Sequence, residues 1–176
     1  MELRIEVAKA EDLSTIRTFY WKLLEQSPEL ASVLRWKKHL YPADRDWLMY
    51  IERQEMYLVY ENGALIGAFA LTERQSEEYC EISWQTGADD NEVAVIHLLA
   101  VAPSQQGRGL ATKTLNAICQ MAKHRGKKSL RLDAIETNVP AQKLYEKYGF
   151  EKCGWSEVYY ESVGLAGFYF YEYVLK

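Results

Sequence analysis

The sequence predicts an α/β protein: a mixed, largely antiparallel sheet with helices flanking it. Three observations lead there. Short apolar runs alternate with amphipathic stretches along the whole chain, so strands and helices are interleaved rather than segregated. Asn62-Gly63 stands between two strand-like runs, and both residues tolerate the positive φ that a tight hairpin needs. The run Val93–Val101 is almost wholly apolar, as a strand buried on both faces must be.

The elements follow in order. Leu3 to Val7 alternates and reads as a first strand. Leu13, Ile16, Tyr20, Leu23 and Leu24 recur at helical spacing, and Pro28 closes that helix. A second helix covers 44–53, after Pro42. The hairpin strands are 56–60 and 64–71, and 79–85 has strand composition. Pro103 stops the Val93–Val101 strand. Leu110–His124 is a helix with Ala111, Leu115, Ile118 and Ala122 on one face. Gly126 supplies its cap, and Lys123, His124 and Arg125 suit the negative end of its dipole. A strand at 130–135 precedes a short amphipathic helix marked by Ala141, Leu144, Tyr145 and Tyr148 and ended by Gly149. Two aromatic-rich strands, 151–160 and 167–175, complete the order β-α-α-β-β-β-α-β-α-β-β, in which 79–85 is not counted. The last is aromatic on both faces, so it is either deeply buried or a dimer edge.

No linker or repeat divides the chain, and its 176 residues suffice for one full core, so 1–176 is read as a single domain. Asp and Glu outnumber Lys and Arg by 25 to 21, which argues against non-specific nucleic-acid binding, since that rests on neutralising phosphates. No apolar run approaches the roughly 20 residues of a membrane span. The charged N-terminal segment lacks the apolar stretch of a signal peptide, so the expected location is cytoplasmic. Cys80, Cys119 and Cys153 are widely spaced, as are His39, His97 and His124, so neither a disulfide framework nor a metal site is expected.

The segment Leu98–Ala111 carries the chemistry. A buried strand ends, the chain turns through Gly107 and Gly109, and a helix starts. The first N–H groups of a helix have no internal partner and face outward at the positive end of its dipole, which is where phosphates bind. Glycines there remove side chains that would block a pyrophosphate, and small Ala111 lets the helix pack closely. A nucleotide P-loop fits poorly, because Thr112 stands where that loop needs glycine. The same threonine breaks a dinucleotide GxGxxG. A glycine turn without a ligand is the plain alternative.

Gln106-Gly107-Arg108-Gly109-Leu110-Ala111 resembles the Q/R-x-x-G-x-G/A signature of the GNAT family of N-acetyltransferases. Asn138, Ala141, Leu144, Tyr145, Gly149 and Phe150 match that family's second signature, N-x-x-A-x-x-[LF]-Y-x-x-x-G-F. The resemblance covers the chain from Val93 onward; the residues before Asn91 match only in coarse pattern. It implies a GNAT-like fold in which two neighbouring parallel strands, 93–101 and 130–135, splay apart around the pantetheine arm of acetyl-CoA. Leu99, Ala100 and Val101 would pair with that arm through their backbones. Gln106, Gly107, Arg108, Gly109, Leu110, Ala111 and Thr112 would hold the pyrophosphate, and Asn138 would bond the arm. The implied reaction moves acetyl from acetyl-CoA, as co-substrate, to a primary amine of a small molecule or peptide. The rival reading is a non-catalytic acyl-CoA sensor or interaction module. Family members often dimerise, which leaves a homodimer open.

Acetyl transfer needs a deprotonated amine, a donor for the developing oxyanion and a proton for the departing sulfur. No Ser-His-Asp or Cys-His arrangement stands out, so direct attack is expected. Tyr145 matches the family tyrosine near the sulfur and is the candidate acid, although it also shares a face with Ala141 and Leu144 and could simply pack. The oxyanion donor would be a backbone N–H near Leu99. Asp133 corresponds to an acidic position that serves as base in some members. His97, in an otherwise apolar strand, is the other candidate. Glu81 and Glu92, acting through water, complete the options. The acidic stretch between Glu73 and Glu92 either attracts a cationic amine or is a solvated face.

Overall fold

A computed structural model describes residues 3–105, 107–161 and 164–176. Among these, the order is β1 (Arg4–Val7), α1 (Leu13–Gln26), α2 (Pro28–Leu34), α3 (Asp44–Glu52), β2 (Met56–Glu61), β3 (Ala64–Thr72), β4 (Val93–Val101), α4 (Leu110–His124), β5 (Ser129–Ile135), α5 (Val139–Tyr148), β6 (Glu151–Tyr160) and β7 (Gly164–Val174). The strands hydrogen-bond in the order β1-β2-β3-β4-β5-β7-β6. β4 and β5 are parallel, while β1–β2, β2–β3, β5–β7 and β7–β6 are antiparallel. This is the mixed, mostly antiparallel sheet with flanking helices that the sequence predicts.

Two local expectations fail. Pro28 does not close a helix; it opens one. α1 ends at Gln26, and Pro28 sits in the first turn of α2, where a missing N–H is harmless. Three helices therefore precede β2, not two. The segment 79–85 forms no strand. Glu77–Glu81 is a 3-10 turn, and the N–H groups of Gln85 and Thr86 donate to the Glu172 carboxylate instead of to a ladder.

Backbone contacts divide the chain into two compact units interleaved in sequence, Met1–Leu71 with Leu98–Thr114 and Thr72–His97 with Leu115–Lys176. β4 thus gives its first five residues to one unit and its last four to the other. In the first unit the hairpin turn is the predicted one: Glu61 pairs with Ala64, and Asn62 (φ 51) and Gly63 (φ 78) are both left-handed. Ile16, Phe19, Tyr20 and Leu23 of α1 and Trp47 and Ile51 of α3 share a core with Met56, Leu58, Ala68, Ala70, Leu98 and Ala100 of the strands. Fully burying each of the larger side chains contributes about 1.5–3 kcal/mol. A two-pronged Arg17–Asp44 pair (2.7 and 2.5 Å) ties α1 to α3 at the surface.

In the second unit β7 lies between β5 and β6. That explains its aromatic content: it is an interior strand, and Phe168, Phe170 and Tyr171 are buried. Cross-strand partners share a face, so Asp133 with Phe170 and Arg131 with Glu172 line one side of β5–β7. Tyr79 and Trp84 cover that side, with Phe170 edge-on to Tyr79 at 5.1 Å. The other side carries Tyr171 and Tyr173, which pack against Tyr145 and Tyr148 of α5. The acidic stretch is partly neutralised within this unit. Buried Lys127 bonds Glu73 (2.8 Å) and the Asn91 carbonyl (2.7 Å), and Lys128 pairs with Glu92 (2.5 Å).

Candidate active site

In the first unit, the end of β4 departs from regular geometry. Leu98 has φ 54, in the left-handed region, although it is not glycine. Such a residue costs about 1–3 kcal/mol and persists only where its surroundings over-determine it. One such constraint is Tyr20, fully buried on α1 and stacked on Trp47 at 5.4 Å. Its hydroxyl donates to the Leu98 carbonyl at 2.6 Å. Two residues on, the Ala100 carbonyl lies 2.9 Å from where a Cβ on Gly67 would stand, so β3 passes β4 as closely as glycine permits. The Ala102 N–H donates to Ile66 (2.8 Å) and continues this approach.

Beyond Pro103 the turn has Gly107 at φ 79 and Gly109 at φ 71. A Cβ on either would meet nothing within 4 Å, so the glycines are there for conformation and the space before the turn is open. In α4 the Lys113 N–H donates to the Gly109 carbonyl (3.1 Å). The N–H groups of Leu110, Ala111 and Thr112 therefore precede the helical ladder. Leu110 itself is buried and anchors the helix start, while Thr112 is exposed. The Arg108 guanidinium pairs with buried Glu61 at 3.0 Å and bonds the Gln105 side chain. Its side chain thus pins the turn to the β2–β3 hairpin. Gln106 lies outside the described residues.

In the second unit, the parallel register runs Val93↔Ser129, Ala94↔Leu130, Val95↔Arg131 and stops there, while both strands continue. Keeping the two-residue period, His97 faces the same side as Asp133. The two interact electrostatically. Burial lowers the His97 pKa from its usual 6.5, and the Asp133 charge partly restores it. Burial likewise raises the Asp133 carboxyl, against the opposing pull of His97 and of the Tyr79 hydroxyl, which donates at 2.7 Å. His97 Nε2 lies 3.4 Å from the Thr72 hydroxyl. Tyr145 is buried on α5, edge-on to Phe150 at 5.7 Å. Burial first, and the Asp133 charge second, drive its phenol pKa far above 10. Asn138 caps α5: its Oδ1 accepts from the Ala141 N–H at 3.3 Å, which leaves its amide nitrogen as a donor.

The predicted residues therefore fall into two groups. Leu99, Ala100, Val101 and 107–112 belong to the first unit, and His97, Asp133, Asn138 and Tyr145 to the second. Reading the sequence missed Tyr20 and Tyr79. Tyr20 reads as one residue of a helical period and Tyr79 as the start of a strand-like, aromatic run, and neither pattern shows where a buried hydroxyl points. A groove of about 520 Å³ runs along α1, and none of the predicted site residues lines it. Among the described residues no group of His, Cys, Asp or Glu side chains is placed to hold a metal, and no helix is long and apolar enough to cross a membrane.

The acetyltransferase (GNAT) family model matches residues 16–150. The chain belongs to that family. A Haemophilus ducreyi [ribosomal protein bS18]-alanine N-acetyltransferase is 32% identical over 123 residues, covering 66% of this chain and 83% of that one. An uncharacterized N-acetyltransferase of Methanocaldococcus jannaschii is 30% identical over 106 residues, 60% of this chain. The matched part spans only 43% of that archaeal protein. Among solved structures, the Salmonella typhimurium protein yncA, with its cofactor acetyl-CoA, superposes with a TM-score of 0.67 at 18% identity, covering 100% of this chain and 95% of that one. In this GNAT chain the described residues of the first signature form a glycine turn into α4, and those of the second form a capped helix.

Proposed function

We propose that this GNAT protein transfers an acetyl group from acetyl-CoA to a primary amine, on a small molecule or a peptide, by direct attack. The observation that carries the reading is the α4 N-terminus: unladdered N–H groups and two left-handed glycines open onto empty space at the end of a strand whose pairing has stopped. The residues fit the cofactor. N–H groups from Gly107 to Thr112 would meet its pyrophosphate, the 99–101 backbone its amide arm, and the Asn138 amide nitrogen a carbonyl of that arm. Acetyl-CoA supplies, when bound, an activated acyl carbon and a thiolate leaving group.

The chain's own groups divide the remaining work. His97, its pKa held below 6.5, is neutral at pH 7 and accepts the amine proton on a ring nitrogen. Asp133 is the alternative acceptor, its basicity raised by burial. The Leu99 N–H faces the developing oxyanion. Tyr145 keeps its proton far beyond the range of a thiol, whose reference pKa is about 8.5, so it steadies the departing sulfur as a hydrogen-bond donor rather than as a full proton donor. A cytoplasmic setting remains the reading of the sequence.

Thermal unfolding with acetyl-CoA, CoA and ATP side by side tests this. A ligand at about 100 times its Kd adds about 2.7 kcal/mol, or about 5–11 °C for a chain of this length. Stabilisation by both CoA species and not by ATP, followed by thiol release with some members of an amine panel, is expected. Indifference to CoA would sink the reading.

A further inference from the structure

We propose that Tyr20 is a positioning residue that aims the Leu99 N–H at the acyl carbonyl through the Leu98–Leu99 peptide. The proposal rests on the acetyl-CoA reading above and adds a residue outside both signatures.

The Leu98 carbonyl and the Leu99 N–H belong to one peptide plane, which is trans. In a trans peptide these two groups point in opposite directions, and twisting the bond between them is costly. Whatever fixes the carbonyl therefore fixes the N–H. In a regular strand both would lie in the sheet plane and serve the ladders on either side. Here Leu98 is left-handed (φ 54), and its carbonyl accepts from a hydroxyl that comes from a helix packed on the sheet face. The carbonyl is drawn toward α1, and the Leu99 N–H is turned away from it.

Tyr20 is suited to hold that orientation. It is fully buried, with Trp47 stacked at 5.4 Å, Phe19 edge-on at 5.3 Å and Trp36 edge-on at 5.9 Å, so its ring has little freedom. The 2.6 Å hydrogen bond is short for a neutral hydroxyl and carbonyl. Phenylalanine would serve the packing equally well. The hydroxyl is explained by the carbonyl it holds, and a left-handed leucine is explained by a peptide that has been turned.

The test pairs infrared spectroscopy with kinetics. Acetyl-CoA carrying ¹³C in its carbonyl is bound to the protein without acceptor. In the native protein the carbonyl stretch falls below its value in solution, because the Leu99 N–H polarises it. In Tyr20→Phe the stretch returns toward the solution value. The Kd for acetyl-CoA stays within about twofold, while kcat falls by about tenfold or more, part of the 10²–10³ that an oxyanion donor supplies. Should Tyr20→Phe fail to fold, 3-fluorotyrosine at position 20 keeps the shape and strengthens the donor, and the stretch then falls further than in the native protein. A stretch unmoved in whichever of these variants folds would overturn the role of Tyr20 while leaving the transferase reading intact. Absence of acetyl-CoA binding to the native protein would overturn both, and a bound carbonyl at its solution frequency would remove Leu99 and Tyr20 together.

Discussion

Glu172→Gln is the substitution whose cost the structure defines best. Glu172 is wholly buried, and its Oε1 accepts from Arg131 Nε (2.9 Å) and the Thr86 hydroxyl (2.7 Å). Its Oε2 accepts from the backbone N–H groups of Gln85 (2.7 Å) and Thr86 (3.1 Å). Both ends of the carboxylate thus face donors. Glutamine has the right shape, but its NH₂ must point at one donor pair or the other. Arg131, itself 3% exposed and stacked over Trp84 at 4.1 Å, also loses its counter-charge. Removing one partner of such a buried pair costs about 3–5 kcal/mol. At about 2–4 °C per kcal/mol for a chain of this length, Tm falls by about 6–20 °C, read by circular dichroism at pH 7. The pH dependence gives a second reading. Burial alone would raise the Glu172 pKa, but the hydrogen bonds from Thr86 and Arg131 outweigh it and the net shift is downward. A lowered carboxylate stabilises the fold above its unfolded pKa of about 4.3 and loses that stabilisation as pH falls through the folded value. The gap between native protein and variant therefore narrows in acid. A Tm drop under about 2 °C, or a gap constant with pH, would refute the account of this pair.

Four further outcomes are expected. Gly67→Ala places a Cβ 2.9 Å from the Ala100 carbonyl; it destabilises by about 1–3 kcal/mol in urea unfolding and weakens acetyl-CoA binding by displacing β4, and a neutral effect would mean the strands yield freely. Gly109→Trp fills the open space before α4 at a left-handed φ of 71, and the thermal shift with CoA should vanish. Tyr145→Phe leaves CoA affinity within about twofold and lowers kcat by about 10²-fold, measured by thiol release; an unchanged rate removes the phenol from the mechanism. The native rate falls as pH drops through the depressed His97 pKa, below 6.5, and His97→Gln abolishes that acid limb, whereas an unaltered limb returns His97 to the core and leaves Asp133, Glu81 and Glu92 as the candidates.

The second half of the chain was legible because its signals are local. Val93–Val101 and Leu110–His124 form over the same residues that apolar content, Pro103 and Gly126 mark out. Asn62-Gly63 makes its hairpin, and Gly149 caps α5 at φ 115. Pro28 misled because proline suits a helix start as well as a stop, and only the neighbouring turn decides. The segment 79–85 misled because its aromatics pack inward as a strand's would, while the Gln85 N–H at its end serves a carboxylate 87 residues away. The bend at Leu98 left no mark, since leucine gives no hint of a left-handed backbone. The candidate acid-base residues were named one by one from type and motif, but the Tyr79 bond to Asp133 joins positions 54 apart and no spacing encodes it.

The Tyr20–Leu98 bond spans 78 residues of chain. Closing a contact of that length carries an entropy cost that local structure alone does not offset. The hydroxyl that holds the Leu98 carbonyl is therefore lost from any fragment that lacks α1. The geometry at the end of β4 thus depends on a helix distant in sequence, and not on the strand's own residues alone.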